Sequence, residues 1–314
     1  SYNTGPVSGA DYIGGLVGYA LAAQTISYSY NTGAISNSTA TNGTGGLIGY
    51  SNGSSTVTNS YNAGSVSGKK NTGGLIGHTR SALTLTSSYN TGAMSSSDYN
   101  LGGLIGYANA SITLTSSYNT GPVSGTANYI GGLVGSAAAS NTFTSSYNTG
   151  PVSGTANYIG GLVGHVSASN TLTSSYNTGD ITGNDSVGGL VGYSNSSFLE
   201  IDTSYNTGDI SNRSTSASSV GGLVAEVLGS NANIHDSYNT GAISSSRTAT
   251  GEGDGTGGIV GYFNAGTSSR IQYVYNAGSV TDGRIGIGGI VGVLWYSTVD
   301  QVYNTGAISG PQDV

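Results

Sequence analysis

Four acidic residues are the first candidates for chemistry in this sequence. Asp180 and Asp209 each follow an Asn-Thr-Gly triplet, and Glu200 and Asp202 stand where the preceding repeat has two threonines. A pair of carboxylates about 5 Å apart could support retaining glycoside hydrolysis, and carboxylate oxygens could bind calcium. Sequence drift on a solvated surface is the alternative, and we favour it. We therefore predict no catalytic residue and no cofactor, with calcium at these four acids as the open alternative.

A second candidate surface consists of threonines spaced two residues apart. The five pairs are Thr56 and Thr58, Thr84 and Thr86, Thr113 and Thr115, Thr142 and Thr144, and Thr171 and Thr173. An apolar residue separates the members of each pair, so in a strand both threonines point outward. This uncharged surface could bind an ordered surface or a glycan, and it resembles the Thr-x-Thr arrays of ice-binding β-solenoids. Alternatively, threonine is present because it stabilises strands.

The remaining charged residues offer little chemistry. His78 and His165 stand at equivalent repeat positions about 14 Å apart, too far to share a metal ion, so we interpret both as tolerated surface substitutions. The acidic insertion at residues 251–255 is a weaker cation candidate. The chain has only 7 Lys and Arg residues and a net charge of -7, which disfavours nucleic acid as a partner. No run of about 18 apolar residues predicts a membrane span.

Two motifs recur along the chain and define a repeat. Tyr-Asn begins at Tyr2, Tyr30, Tyr61, Tyr89, Tyr118, Tyr147, Tyr176, Tyr205, Tyr238, Tyr275 and Tyr303. A glycine motif, Gly-Gly-Leu/Ile-Val/Ile-Gly, begins at Gly14, Gly45, Gly73, Gly102, Gly131, Gly160, Gly188, Gly221, Gly257 and Gly288. Insertions are confined to one corner, at residues 37–44, 212–220 and 245–256. A constant unit with one variable corner is typical of a solenoid, so we predict a single domain over residues 1–314.

Each repeat contains three short runs that predict strands. Alternation over residues 171–176 places Leu172, Ser174 and Tyr176 on one face, and the other two runs centre on Val152 and on residues 162–163. The glycine content disfavours helices. We therefore predict an all-β, parallel β-solenoid of about ten coils of ~29 residues, with three short strands per coil and right-handed by the strand-crossover rule.

Stacked coils place equivalent residues about 4.8 Å apart, so the Tyr-Asn motifs form ladders. We predict a structural role for these ladders, because aromatic rings can stack and asparagine amides can bond to their copies above and below. The central ladder residues are Tyr89, Asn90, Tyr118, Asn119, Tyr147, Asn148, Tyr176 and Asn177.

The glycine motif, preceded by Tyr-Asn-Thr-Gly, resembles the GLUG repeat of large bacterial surface and secreted proteins. The resemblance covers essentially the whole chain in ten copies, with Ile259 and Ile290 in place of leucine and Ala225 in place of the last glycine. It implies an extracellular or cell-surface segment without enzymatic activity, and it implies no particular ligand. The His-Glu-x-x-His zinc motif of the metallopeptidases that carry such repeats is missing here.

Both ends of the chain are plain repeat sequence. An uncapped solenoid exposes backbone groups that can pair with another chain. We therefore expect either a fragment of a longer stalk or subunits that associate end to end or laterally. The predicted function is a non-enzymatic extracellular stalk, adhesive segment or self-assembling fibre. An ice-binding solenoid that uses the threonine surface and a glycan-binding adhesin segment are the alternatives.

Overall fold

The computed structural model describes residues 1–39, 42–155, 157–216, 218–248, 254–283 and 286–310. In these ranges the chain forms strands and turns, and all strand pairs are parallel. Equivalent strands of about ten successive coils stack in register, which confirms the predicted β-solenoid. None of the described segments is a helix with the length and apolar character that a membrane crossing requires.

The first sheet, named the tyrosine sheet, contains one two-residue strand from each Tyr-Asn motif. Its eleven strands are Tyr2–Asn3, Tyr30–Asn31, Tyr61–Asn62, Tyr89–Asn90, Tyr118–Asn119, Tyr147–Asn148, Tyr176–Asn177, Tyr205–Asn206, Tyr238–Asn239, Tyr275–Asn276 and Tyr303–Asn304. Each tyrosine pairs with the tyrosine of the next coil, and each asparagine pairs with the next asparagine.

The second sheet, named the insertion sheet, contains two strand columns around the corner where the insertions lie. Its strands are Val7–Gly9, Ile13–Gly14, Ile35–Asn37, Thr44–Gly45, Val66–Gly73, Met94–Gly102, Val123–Gly125, Tyr129–Gly131, Val152–Gly154, Tyr158–Gly160, Ile181–Gly183, Ser186–Gly188, Ile210–Asn212, Val220–Gly221, Ile243–Ser245, Thr256–Gly257, Val280–Asp282, Ile287–Gly288 and Ile308–Ser309. Two continuous strands, Val66–Gly73 and Met94–Gly102, belong to both columns.

Two sheets of ten strands complete each coil. The glycine sheet follows the glycine motifs and contains Val17–Ala20, Ile48–Ser51, Ile76–Thr79, Ile105–Ala108, Val134–Ala137, Val163–Val166, Val191–Ser194, Val224–Val227, Val260–Asn264 and Val291–Trp295. The threonine sheet contains Gln24–Ser27, Ser55–Thr58, Leu83–Thr86, Ile112–Thr115, Asn141–Thr144, Ser169–Thr173, Phe198–Asp202, Ala232–His235, Arg270–Gln272 and Thr298–Asp300.

A regular coil therefore has five strands, and the predicted number of three is wrong. The run over residues 171–176 is broken at Ser174, which has a φ of 51° and lies exposed. This left-handed residue turns the chain, so that Ser175 is buried and Tyr176 begins a separate strand. The predicted inward position of Ser174 is wrong for the same reason. Handedness stays a prediction.

Apolar side chains fill the inside of the solenoid in two columns. The larger column joins the glycine sheet to the threonine sheet and includes Leu133, Val134 and Phe143. The smaller column lines the insertion sheet and includes Val123 and Ile130. Since each apolar residue packs on its counterpart in the next coil, the core runs the length of the molecule, and coils are held together by burial as well as by backbone hydrogen bonds.

Buried polar ladders run beside this core. Asn119 Nδ2 donates to Asn148 Oδ1 at 2.8 Å and to its own Gly121 carbonyl at 2.8 Å. The same bonds recur from Asn3 to Asn304. A neighbouring serine ladder, which we did not predict, links the backbone N–H of Ser117 to Ser146 Oγ at 3.3 Å. These two ladders satisfy polar groups that would otherwise be buried without partners.

The second glycine of each glycine motif makes room for the asparagine ladder. A Cβ on Gly132 would lie 2.0 Å from the Gly161 carbonyl oxygen and 2.5 Å from the Cγ of Asn148. Any side chain at this position would therefore force the coils apart. The two motifs recognised in the sequence are thus two halves of one packing contact.

We expect Asn119→Ala to destabilise the solenoid by about 3 kcal/mol, because it leaves the buried Asn90 Nδ2 and Asn148 Oδ1 each short of a partner. Denaturant unfolding followed by circular dichroism measures the effect. The matched control is Asn52→Ala, which removes an exposed amide. Equal unfolding midpoints for the two variants would contradict a structural role for the ladder.

Candidate functional site

The threonine sheet presents the predicted surface. Val57, Leu85 and Phe143 point inward and are fully buried. The threonines stand in two in-register columns, Thr56, Thr84, Thr113, Thr142 and Thr171 in one and Thr58, Thr86, Thr115, Thr144 and Thr173 in the other. Thr25 and Ser27 extend the columns by one coil. The first column is mostly exposed and the second is half-buried, so a partner can reach hydroxyl and methyl groups on both.

The threonine columns repeat in two directions. Neighbouring threonines lie about 4.8 Å apart between coils and about 7 Å apart along a strand, as the spacing of parallel strands requires. The surface carries neither acids nor bases over the five coils of the columns. It can therefore make many equivalent weak contacts with a repeating partner, whereas it has no group that could move a proton.

The tyrosine ladder is adjacent to the threonine columns. In each coil the Tyr-Asn strand follows the threonine strand, across the turn at Ser174 or its equivalent. Its rings stack with centroids 4.8–5.3 Å apart and interplanar angles of 1–10°. The ladder residues Tyr89, Tyr118, Tyr147 and Tyr176 are half-buried, and their asparagines are fully buried. Burial and the neighbouring phenol raise the pKa of Tyr118. Because each ring face is covered by the next ring, only ring edges and hydroxyl groups face solvent.

The four acidic candidates form two groups. Asp180 Oδ1 accepts the backbone N–H of Asp209 at 3.0 Å, and Asp209 Oδ1 accepts that of Ala242 at 2.8 Å. Both carboxylates therefore bond the backbone of the following coil at the corner after the tyrosine sheet. Glu200 and Asp202 lie instead on the threonine sheet, on the other side of the Tyr-Asn strand.

Glu200 and Asp202 meet a histidine that the sequence did not single out as a site. His235 Nε2 lies 2.6 Å from Glu200 Oε1, and its Nδ1 lies 2.9 Å from Asp236 Oδ2 and 3.4 Å from Asp202 Oδ1. We name these four residues the histidine centre. Ligand atoms of Asp202, His235 and Asp236 lie within 4.8 Å of one another and could hold a metal ion. The calcium prediction at Asp180, Asp209, Glu200 and Asp202 stays untested.

Charge at the histidine centre favours the protonated imidazole. Burial alone lowers the pKa of His235, but hydrogen bonds that its ring donates to Asp236 and Glu200, with attraction to Asp202, outweigh it, so the net effect raises this pKa above its usual 6.5. His235 then pairs as a cation with carboxylates of the preceding coil. Asp202 and His235 are 33 residues apart, across an insertion, and the register of adjacent coils brings them together.

Three further carboxyl groups, Asp185, Glu226 and Asp254, interact around the insertion corner, and of these only Asp254 belongs to the acidic insertion predicted as a cation candidate. Burial raises the pKa of Asp185 to about 6, with the charge of Asp254 adding to the effect. Burial likewise raises the pKa of Glu226, which accepts a hydrogen bond from Ser186 at 3.3 Å. Of the acidic insertion considered above, residues 251–253 lie outside the described residues.

The other two histidines are not free surface substitutions, and that interpretation is corrected. His78 lies between the rings of Tyr50 and Tyr107, with centroids at 4.7 and 4.9 Å. Burial, with the charge of Arg80, lowers the pKa of His78 to about 4. His165 lies at 4.9 Å from Tyr129, and burial lowers its pKa as well. Both imidazoles replace a tyrosine in a second, shorter aromatic column.

Comparisons of the chain with protein-family models, with curated proteins and with solved structures found no match. Interpretation of the site therefore depends on its geometry alone. The two arrangements that could bind a partner are the threonine columns and the charged coils around the histidine centre.

We expect the three histidines to titrate in a fixed order, with His78 near pH 4, His165 below 6.5 and His235 above 6.5. A pH titration followed by NMR of the imidazole protons measures this order. Because the folded-state pKa of His235 is raised, its stabilising effect is complete below about pH 6.5 and is lost as the pH rises through the folded value.

The unfolding midpoints of the wild-type chain and of His235→Asn should accordingly differ most in acid and converge in alkali. His165→Asn is the control, because the side chains that bond its ring are the uncharged Ser136 and Asn195. A difference for His235→Asn that grows with rising pH would contradict the ion pairing.

Proposed function

We propose that this chain is a non-enzymatic, rod-shaped segment of an extracellular or cell-surface protein that serves as a stalk, an adhesive segment or a fibre. The observation that carries the proposal is the unbroken register of the eleven strands of the tyrosine sheet. Stacked at about 4.8 Å per coil, these strands give a rod about 50 Å long. The resemblance to the GLUG repeat supports the location.

Continuous ladders suit a protein that must keep its shape along one axis. Each coil contributes apolar contacts, stacked rings and asparagine bonds to both neighbours, so bending the rod would break several interactions at once. Repeat proteins of this kind gain stability from each neighbouring interface. Such an arrangement suits a rigid spacer, a role that needs no binding pocket.

The asparagine ladder also has a direction that favours further stacking. Every Nδ2 donates toward the C-terminal coil, so the first coil presents Asn3 Oδ1 and the last presents Asn304 Nδ2. These groups are complementary. A further coil, whether from the same protein or from a second copy, can therefore continue the ladder at either end, which supports the fibre form of the proposal.

A catalytic role has less support. The carboxylates of Asp180 and Asp209 each accept a backbone N–H group of the following coil, which supports a structural role for both. From Thr25 to Thr173 the two threonine columns themselves contain no acid or base. We therefore keep the non-enzymatic form of the proposal.

Negative-stain electron microscopy over a concentration series tests the proposed rod. We expect particles about 50 Å long or end-to-end multiples of that length. The variant Thr113→Lys/Thr142→Lys should give the same particles, because both side chains point outward. Compact particles, or loss of rods in this variant, would contradict the proposal.

Ice binding is the second candidate, and the in-register threonine columns favour it. A flat, uncharged lattice of hydroxyl and methyl groups can order water over several coils. In the next coil Glu200 and Asp202 replace the threonines, so one column ends at Thr171 and the other at Thr173. The binding surface would therefore extend over the coils from Thr25 to Thr173.

For this candidate we expect the wild-type chain to slow ice recrystallisation and Thr113→Lys/Thr142→Lys to lose the effect, because two charged side chains interrupt the lattice. Ser124→Lys/Ser153→Lys is the matched control, with the same charges in adjacent coils of the insertion sheet. Equal activity of the two double variants, or no activity in the wild type, would exclude the threonine surface as an ice-binding site.

A further inference from the structure

The threonine columns change character in the coils around the histidine centre. Glu200, Asn233 and Arg270 continue the first column in register, and Asp202, His235 and Gln272 continue the second. Short hydroxyl side chains are thereby replaced by long groups that donate and accept hydrogen bonds. The path from Gly257 to Tyr275 is also two residues longer than that from Gly131 to Tyr147.

These replacements enclose a cavity of about 450 Å³ that opens to solvent. Its walls include Glu200, Asn233, His235, Arg270, Gln272 and Tyr273. This volume is in the range of small-ligand pockets, which combine an aromatic or apolar surface with a few fixed polar groups.

Tyr273 supplies the aromatic surface. It has a φ of 53° and is 53% exposed, at the turn position where Ser116 and Ser174 stand in other coils. Among the described residues its ring stacks on no other ring, in contrast to the ladder tyrosines, whose faces are covered. One face of Tyr273 is therefore free to pack on a ligand.

The polar groups around Tyr273 are held in place and carry charges of both signs. Glu200 is bonded by His235 at 2.6 Å and by Asn233 Nδ2 at 3.2 Å, which fixes its carboxylate before a ligand arrives. Glu200 and Asp236 line the cavity with carboxylates, whereas Arg270 lines it with a guanidinium group. A strongly charged ligand of either sign would therefore meet a group of like charge in the walls.

We propose that this cavity binds a neutral saccharide unit. A sugar ring has an apolar C–H face that can lie on Tyr273 and a rim of hydroxyl groups that can bond planar carboxylate, amide and guanidinium groups. The inference extends the adhesive form of the proposed function and rests on it. It places glycan recognition at the charged coils instead of on the threonine columns.

Fluorescently labelled full chain on an array of neutral glycans, followed by saturation-transfer NMR with the best-bound methyl glycoside, tests this site. We expect binding by the wild type and about tenfold weaker binding by Tyr273→Ser, through loss of ring stacking. Arg270→Thr, which restores a residue of the threonine columns, should also weaken binding. Tyr28→Ser is the matched control, since Tyr28 is an exposed tyrosine at the same turn position with a φ of 48°.

Three results would overturn the proposal. The first is that no neutral glycan on the array binds the chain. The second is that Tyr273→Ser binds as well as the wild type. The third is that Thr113→Lys/Thr142→Lys binds more weakly, which would place the glycan on the threonine columns. Preference for glucuronate or glucosamine over the neutral sugars would overturn the ligand class. If the saccharide proposal fails, electron microscopy should still show rods, whereas failure of the rod proposal removes them. The two failures are therefore distinguishable.

Discussion

In-register stacking of like residues at about 4.8 Å is the constraint on which the rest of the structure depends. Each side chain must fit a copy of itself above and below. Asparagine satisfies this condition because its amide carries both a donor and an acceptor, so the buried ladder closes at 2.7–2.8 Å. Tyrosine satisfies it by ring stacking. Glycine beside each asparagine leaves the space that the amides fill.

The same constraint explains why the chain carries so few charges. Two like charges about 4 Å apart repel by several kcal/mol near a protein surface, so repeating a charged residue along a column is unfavourable. Asp180 and Asp209 do repeat in adjacent coils, where each carboxylate accepts a backbone N–H group of the following coil. Only 7% of the residues are charged. Where acids do enter the threonine columns, the next coils supply compensation, with His235 beside Asp202 and Arg270 two coils after Glu200. In the threonine columns, charge therefore appears as a group of both signs rather than as a row of one sign.

Features that depend on the period could be predicted from the sequence, and features that depend on local backbone geometry could not. The spacing of Tyr-Asn predicted the parallel solenoid, the asparagine ladder and the threonine columns. It missed the turn at Ser174, because serine carries no signal for a positive φ, and so it missed the burial of Ser175. A serine directly before most Tyr-Asn motifs was the available clue. The sequence did not show that His235 bonds Glu200, because side-chain geometry fixes that contact.

Specific chemistry in such a lattice can arise only where the repeat is broken. Coils that match their neighbours give surfaces of identical groups, which suit extended partners and self-association. A cavity needs different groups facing one point, and that requires successive coils to differ. The coils from Glu200 to Tyr273 meet this condition, since acids, an imidazole, amides, a guanidinium and a free ring replace threonine and serine there. The regular coils then act as the support that holds this divergent segment at a set height along the rod.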